Sequence, residues 1–146
     1  MTTTRPFLRP HRLAAYVSLT NALFLLYVAW DKYITDACSV CSFIPWLSIG
    51  DEVVGLLGAM MAMLIAFLAY QADRRPYFGH GALFLSLFSV IFGTALQIGR
   101  YYSLGSYCVQ CIISDGLFAL TALFMAIWFW NQHKQKQIYG KVNLNV

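Results

Sequence analysis

The chain is 146 residues long, 60% hydrophobic and only 11% charged, with a net charge of +4 and a mean hydropathy of +0.62. A soluble globular domain carries about a quarter charged residues, so this composition excludes that class and matches a membrane protein. The basic excess forms no clustered face or groove, which excludes a nucleic-acid footprint.

A helix that crosses a bilayer needs roughly 20 mostly uncharged residues, and four stretches qualify: 13–30, 53–71, 82–99 and 112–130. They leave little room for anything else. The expectation is one all-α integral membrane domain over residues 1–146, a four-transmembrane-helix bundle with no fused thioredoxin domain. The first stretch follows the basic start TTTRPFLRPHR and superficially looks like a secretory signal. Its apolar run is long for a signal core and AWDKYITDACS offers a poor cleavage site, so it reads as a retained span.

Next comes DACSVCSF, which puts Cys38 and Cys41 in a loop; Pro45 discourages a continuous helix there and Trp46 suits an interface. The second span opens with DEVVGLLG. Its Gly55 and Gly58, with Gly93 on the third span, are expected to let helix backbones approach closely where no hydrophobic effect drives helices together. The methionines of AMMAML read as packing filler, and Asn21 of the first span as a packing residue. QADRRPYFGHG joins spans two and three. Gln97 and Arg100 lie one turn apart near the end of the third span, where a snorkelling arginine is the plain alternative to a functional one. The fourth span opens with SYCVQCIISDG. Ser106 suits an N-cap, which places Cys108 and Cys111 in the first turn on one face.

Basic residues orient the bundle. Eight of the ten, Arg5, Arg9, Arg12, Arg74, Arg75, Lys134, Lys136 and Lys141, fall at the two ends or between spans two and three, leaving Lys32 and Arg100 for the other side. The positive-inside rule therefore predicts cytoplasmic N and C termini and outward-facing cysteine pairs. Tyr33, Trp46, Tyr101, Tyr102 and Tyr107 would mark the outer interface, and Tyr70, Tyr77, Trp128 and Trp130 the inner one. His11, His80 and His133 all fall on the cytoplasmic side.

Two CxxC pairs on an oxidising face admit three readings: redox exchange, a thiolate site of a heavy-metal transporter or binding protein, or inert bridges in a membrane scaffold. A CxxC ring is too small to constrain the unfolded chain much, which favours redox work over a structural bridge. Two intervening spans and the lack of an outward histidine weigh against a closed zinc site. At the start of the fourth helix, unpaired amides and the helix dipole favour thiolate, the nucleophile of disulfide exchange. Cys111 lies deeper toward lipid, and Cys108 nearer water.

The four spans, the cysteine pair after the first, the glycine-bearing DEVVGLLG and above all CVQC opening the fourth helix resemble the vitamin K epoxide reductase family, in its bacterial quinone-linked disulfide-forming type. The resemblance covers most of the chain. It implies a membrane thiol-disulfide oxidoreductase that reoxidises a soluble thioredoxin-like partner and passes electrons to a membrane quinone of the ubiquinone, menaquinone or vitamin K type, with no metal. It further implies Cys38 and Cys41 as the shuttle pair, Cys108 as the thiol exchanging with it, and Cys111 as the quinone-facing thiol. The close spacing of CSVC departs from the family and looks like the DsbB-type disulfide oxidases, in which the first-loop pair faces the quinone. CVQC does not match the second, widely spaced pair of that type. Where the family often has a tyrosine after the fourth-helix pair, this chain has CIISDG.

Asp115 lies four residues after Cys111, on the same helical face, at a depth where a carboxyl is costly and by default functional. The plain alternative is a packing hydrogen bond or an interfacial carboxylate. Asp115, Ser114, Arg100 and Gln97 form the expected quinone-binding set. The expected location is a bacterial inner membrane with the cysteines facing the periplasm, the endoplasmic reticulum membrane being the alternative.

Overall fold

The computed structural model describes residues 9–35, 51–105 and 108–142. Four helices account for nearly all of them: α1 (Pro10–Thr35), α2 (Asp51–Gln71), α3 (Pro76–Leu104) and α4 (Val109–Val142). No strand occurs among the described residues. All four helices are long and apolar enough to cross a membrane; even the shortest, α2 at 21 residues, is about 30 Å long.

The helix ends follow local chemistry. Proline opens α3, with Arg75 before it extended at φ −143° and ψ 119°, as the clash with a following proline ring requires. Gly105 closes α3 at φ 64° and returns its N–H to the Tyr101 carbonyl at 2.9 Å. That left-handed conformation is costly for any residue with a Cβ. Helices α1, α3 and α4 overrun the apolar stretches 13–30, 82–99 and 112–130 at both ends. Hydropathy marks the part that matches lipid, whereas helix continues wherever the residues favour it, as through the Gln- and Lys-rich end of α4.

Helix α1 packs on α2 and α4, and α3 packs on the same two helices, so α1 and α3 sit on a diagonal. The interior is built mostly from small residues, with Ile65, Met125, Phe118 and Trp128 among them. Ala14, Ala22, Ala62, Ala69, Ala82, Ser18 and Ser86 are buried, while Leu23, Phe84 and Ile91 are 60%, 70% and 69% exposed. This inverts the order of a soluble bundle. In lipid, large side chains gain nothing by turning inward, and small ones let helices touch. Ser18 Oγ donates to the Ala62 carbonyl at 2.8 Å, linking α1 to α2. Asn21, fully buried, donates through Nδ2 to the Ser114 carbonyl at 3.4 Å, linking α1 to α4. Gly55 admits Ala29 of α1, where an added Cβ would meet the alanine Cβ at 3.4 Å.

One end of the bundle holds the start of α1 and the α2–α3 turn. Arg9 and Arg12 reach Asp73 at 3.3 and 3.5 Å, and His11 Nε2 lies 3.0 Å from the same carboxylate. Burial raises the Asp73 pKa, but contact with His11 and the charges of His11, Arg9 and Arg12 outweigh it and hold the carboxyl below its ordinary value. Trp128 belongs to this end too, and here the interface expectation fails. It is 7% exposed, with its ring lying where a Cβ on Gly79 would be and edge-on to His11 at 6.2 Å. The indole packs between the helices there because Gly79 presents no side chain toward it. Tyr33, Tyr70, Tyr77, Tyr101, Tyr102 and Trp130 do face outward; Trp46 and Tyr107 lie outside the described residues.

Candidate functional site

The opposite end is organised by the start of α4. The helix begins at Val109, so Cys108 holds the N-cap position expected of Ser106, which lies outside the described residues. The Cys108 carbonyl accepts the first intrahelical bond, from Ile112 N at 3.1 Å. It also accepts Gln97 Nε2 at 3.2 Å, which ties α4 to α3. Cys111 then stands one turn on, and its Sγ donates to Cys108 Sγ at 2.9 Å. Both cysteines are free thiols.

Cys108 precedes the apolar span. The hydrogen bond from the Cys111 thiol favours its thiolate; burial opposes this, and the Cys111 backbone N–H and the positive charges of Lys32 and Arg100 add to the stabilisation, so the Cys108 pKa is lowered. An N-cap side chain ordinarily accepts such an orphan amide through oxygen; here a sulfur takes the place. The result is a thiol pair in contact, one member of which is biased toward thiolate.

Exposure of the two thiols differs from the expectation based on depth. Cys108 is 9% exposed and counts with the core, whereas Cys111 is half-buried. The reason is a cavity of about 340 Å³ between the helices, which Cys111 lines and Cys108 does not. Its walls are mostly apolar, with Phe88 and Phe92 of α3 stacked at 6.1 Å and Phe118 contributed by α4. The polar lining comes from Ser89, Gln97 and Arg100 of α3, and Gln110, Ser114 and Asp115 of α4, with Lys32 reaching in from α1. All four residues of the expected quinone-binding set thus meet at one cavity with Cys111. Cys38 and Cys41 lie outside the described residues.

Gly93 does not serve the close backbone approach expected of it. The three atoms nearest to a Cβ built there all belong to the Asp115 carboxyl group. Lys32 and Gln110 are cavity residues that reading the sequence missed. Lys32 carries a detectable signal besides its charge, since it follows Leu25 and Val28 on the same face of α1. Among the described residues no three His, Cys, Asp or Glu side chains converge as a metal-ligand set. No protein-family model, curated protein or solved structure matches the chain.

Proposed function

We propose that the protein is a membrane thiol-disulfide oxidoreductase that reoxidises a soluble thioredoxin-like partner and discharges the electrons into a membrane quinone, supporting disulfide formation. One observation carries the reading: a thiol pair 2.9 Å apart, one member of which lines a largely apolar cavity. Cavities of this size and lining suit small organic ligands. The residues also fit a quinone chemically. Gln97 Oε1 is buried without a hydrogen-bond partner among the described residues and can accept from a quinol hydroxyl, while Ser114 and protonated Asp115 offer donors for a carbonyl oxygen. The apolar walls can hold the ring.

A bound quinone supplies an acceptor for two electrons and two protons. On the protein side, Cys108 exchanges with the loop pair Cys38 and Cys41, which takes electrons from the reduced partner. Closing the Cys108–Cys111 disulfide releases the two electrons and two protons of the thiols. Cys111 faces the acceptor, and Asp115, one turn further along α4, holds a proton at the same wall. Arg100 and Lys32 keep that end positive, which favours thiolate. The positive-inside bias supports cytoplasmic termini and outward-facing cysteines, an orientation that suits the periplasmic face of a bacterial inner membrane.

The test is oxidation of a reduced thioredoxin-like protein by the purified chain in detergent, with and without added ubiquinone or menaquinone. Turnover should depend on the quinone. A rate unchanged by quinone would sink the proposal.

A further inference from the structure

Gly93 sits midway along α3, where α3 packs on α4. A Cβ built there would overlap Asp115 Oδ1, with the carboxyl carbon at 2.7 Å and Oδ2 at 3.0 Å. The contrast with the other interhelical glycines is informative. Gly55 meets the Cβ, Cα and a carbonyl of its neighbours, Gly58 a leucine methyl and Gly79 an indole ring; all are packing contacts. Gly93 alone among the described glycines receives an ionisable group.

We propose that Gly93 is a positioning residue: by presenting no side chain, it seats the Asp115 carboxyl against the α3 backbone and holds it at the cavity wall one turn from Cys111. This rests on the functional reading above and deepens it. When Cys108 and Cys111 close their disulfide, the two electrons pass to the quinone-class acceptor and the thiol protons must be taken up. Seated Asp115 gives its own proton to the acceptor and takes the Cys111 proton in exchange. The second proton the acceptor needs is taken from water, replacing the one Cys108 released to water on becoming a thiolate. Two thiols and a quinone-class acceptor thus become one disulfide and the two-electron, two-proton reduced acceptor. Any larger residue at 93 turns the carboxyl out of this seat. The other charged or titratable groups lining the cavity are Lys32 of α1 and Arg100 of α3; α2 supplies only apolar residues and glycines.

The asserted coupling is between two side chains, so a double-mutant cycle tests it. Gly93→Ala, Asp115→Ala and the combined variant are made in full-length chain carrying Cys108→Ser, and the pH midpoint of Cys111 alkylation is measured in detergent, with no quinone present. Gly93→Ala should move the midpoint by about one pH unit, in the same direction as Asp115→Ala, and the combined variant should match Asp115→Ala alone. A Gly93→Ala midpoint equal to that of the parent, or additive shifts in the combined variant, overturns the proposal. Thermal midpoints are read in parallel. If Gly93→Ala fails to fold and the combined variant folds, the steric seat is supported; if neither folds, Gly93 is a packing residue and the proposal fails. Absence of quinone-dependent turnover in the unmodified chain would instead count against the functional reading, leaving the alkylation cycle to decide on Gly93.

Discussion

At one end of the bundle Gly79 of α3 receives the Trp128 indole, and about 21 Å further along the same helix Gly93 receives the Asp115 carboxyl. Both are glycines opened to a side chain of α4, yet the surroundings diverge. Around Gly79 the space is filled by an aromatic ring, with His11 edge-on to it and an arginine–aspartate cluster beyond. Beside Gly93 lies a cavity of about 340 Å³ whose polar lining includes Asp115, Ser114, Gln97 and Arg100. A packed end can hold four helices in register, leaving the other end to keep space and costly polar groups. The same backbone device thus admits a packed ring at one end and a carboxyl at a cavity wall at the other.

The sharpest way to break this comparison is at the sulfur that faces the cavity. Cys111→Ser should reduce quinone-linked turnover to background while leaving the thermal midpoint nearly unchanged, because a serine fills almost the same space. A large loss of midpoint would mean that the cavity end carries stability after all. Asp115→Asn comes next. It keeps shape and removes the transferable proton, so steady-state turnover should fall by about 100-fold, the scale of a lost general acid or base, while alkylation still reports competent thiols. Turnover equal to the parent at every pH would return Asp115 to a packing role.

Gly79→Ala probes the filled end. Its methyl overlaps the Trp128 ring, which is buried and cannot simply swing aside, so overpacking should cost about 1–3 kcal/mol, seen as a lower thermal midpoint in detergent. Turnover per folded molecule should be preserved. Asp73→Asn should have the smallest effect, about 0.2–1 kcal/mol, because the arginine pairs it weakens are largely solvent-exposed and the asparagine keeps an oxygen for buried His11. Its pH dependence has a defined sign. The Asp73 pKa is lowered from 3.8 on folding, so its stabilisation is complete above that value and is lost as the pH falls through the lowered one. Thermal midpoints of the parent and Asp73→Asn should differ at neutral pH and converge in strong acid.

Hydropathy alone located all four helices, because matching a bilayer demands about 20 apolar residues in sequence and nothing tertiary can substitute for that length. Spacing was enough to put Cys111 and Asp115 on one face of α4, with Cys108 at its start, since helical periodicity is a local property. Gly55 was legible as a close-approach residue for the same reason that small residues generally line helix contacts in lipid. Gly93 was legible only as one more of these, and Trp128 only as an interfacial aromatic. What each of them faces depends on how α3 and α4 are rotated and slid against each other. Those are rigid-body variables, set by the summed packing of alanines, serines and glycines across the bundle rather than by any local motif. The same rotation decides that Lys32 shares a cavity with Arg100 and that Cys108 is buried while Cys111 is open to the cavity. A chain of this composition therefore declares its spans and the spacing of its thiols by sequence. Only helix packing determines which groups surround them, because the contacts across α1, α3 and α4 join residues far apart along the chain.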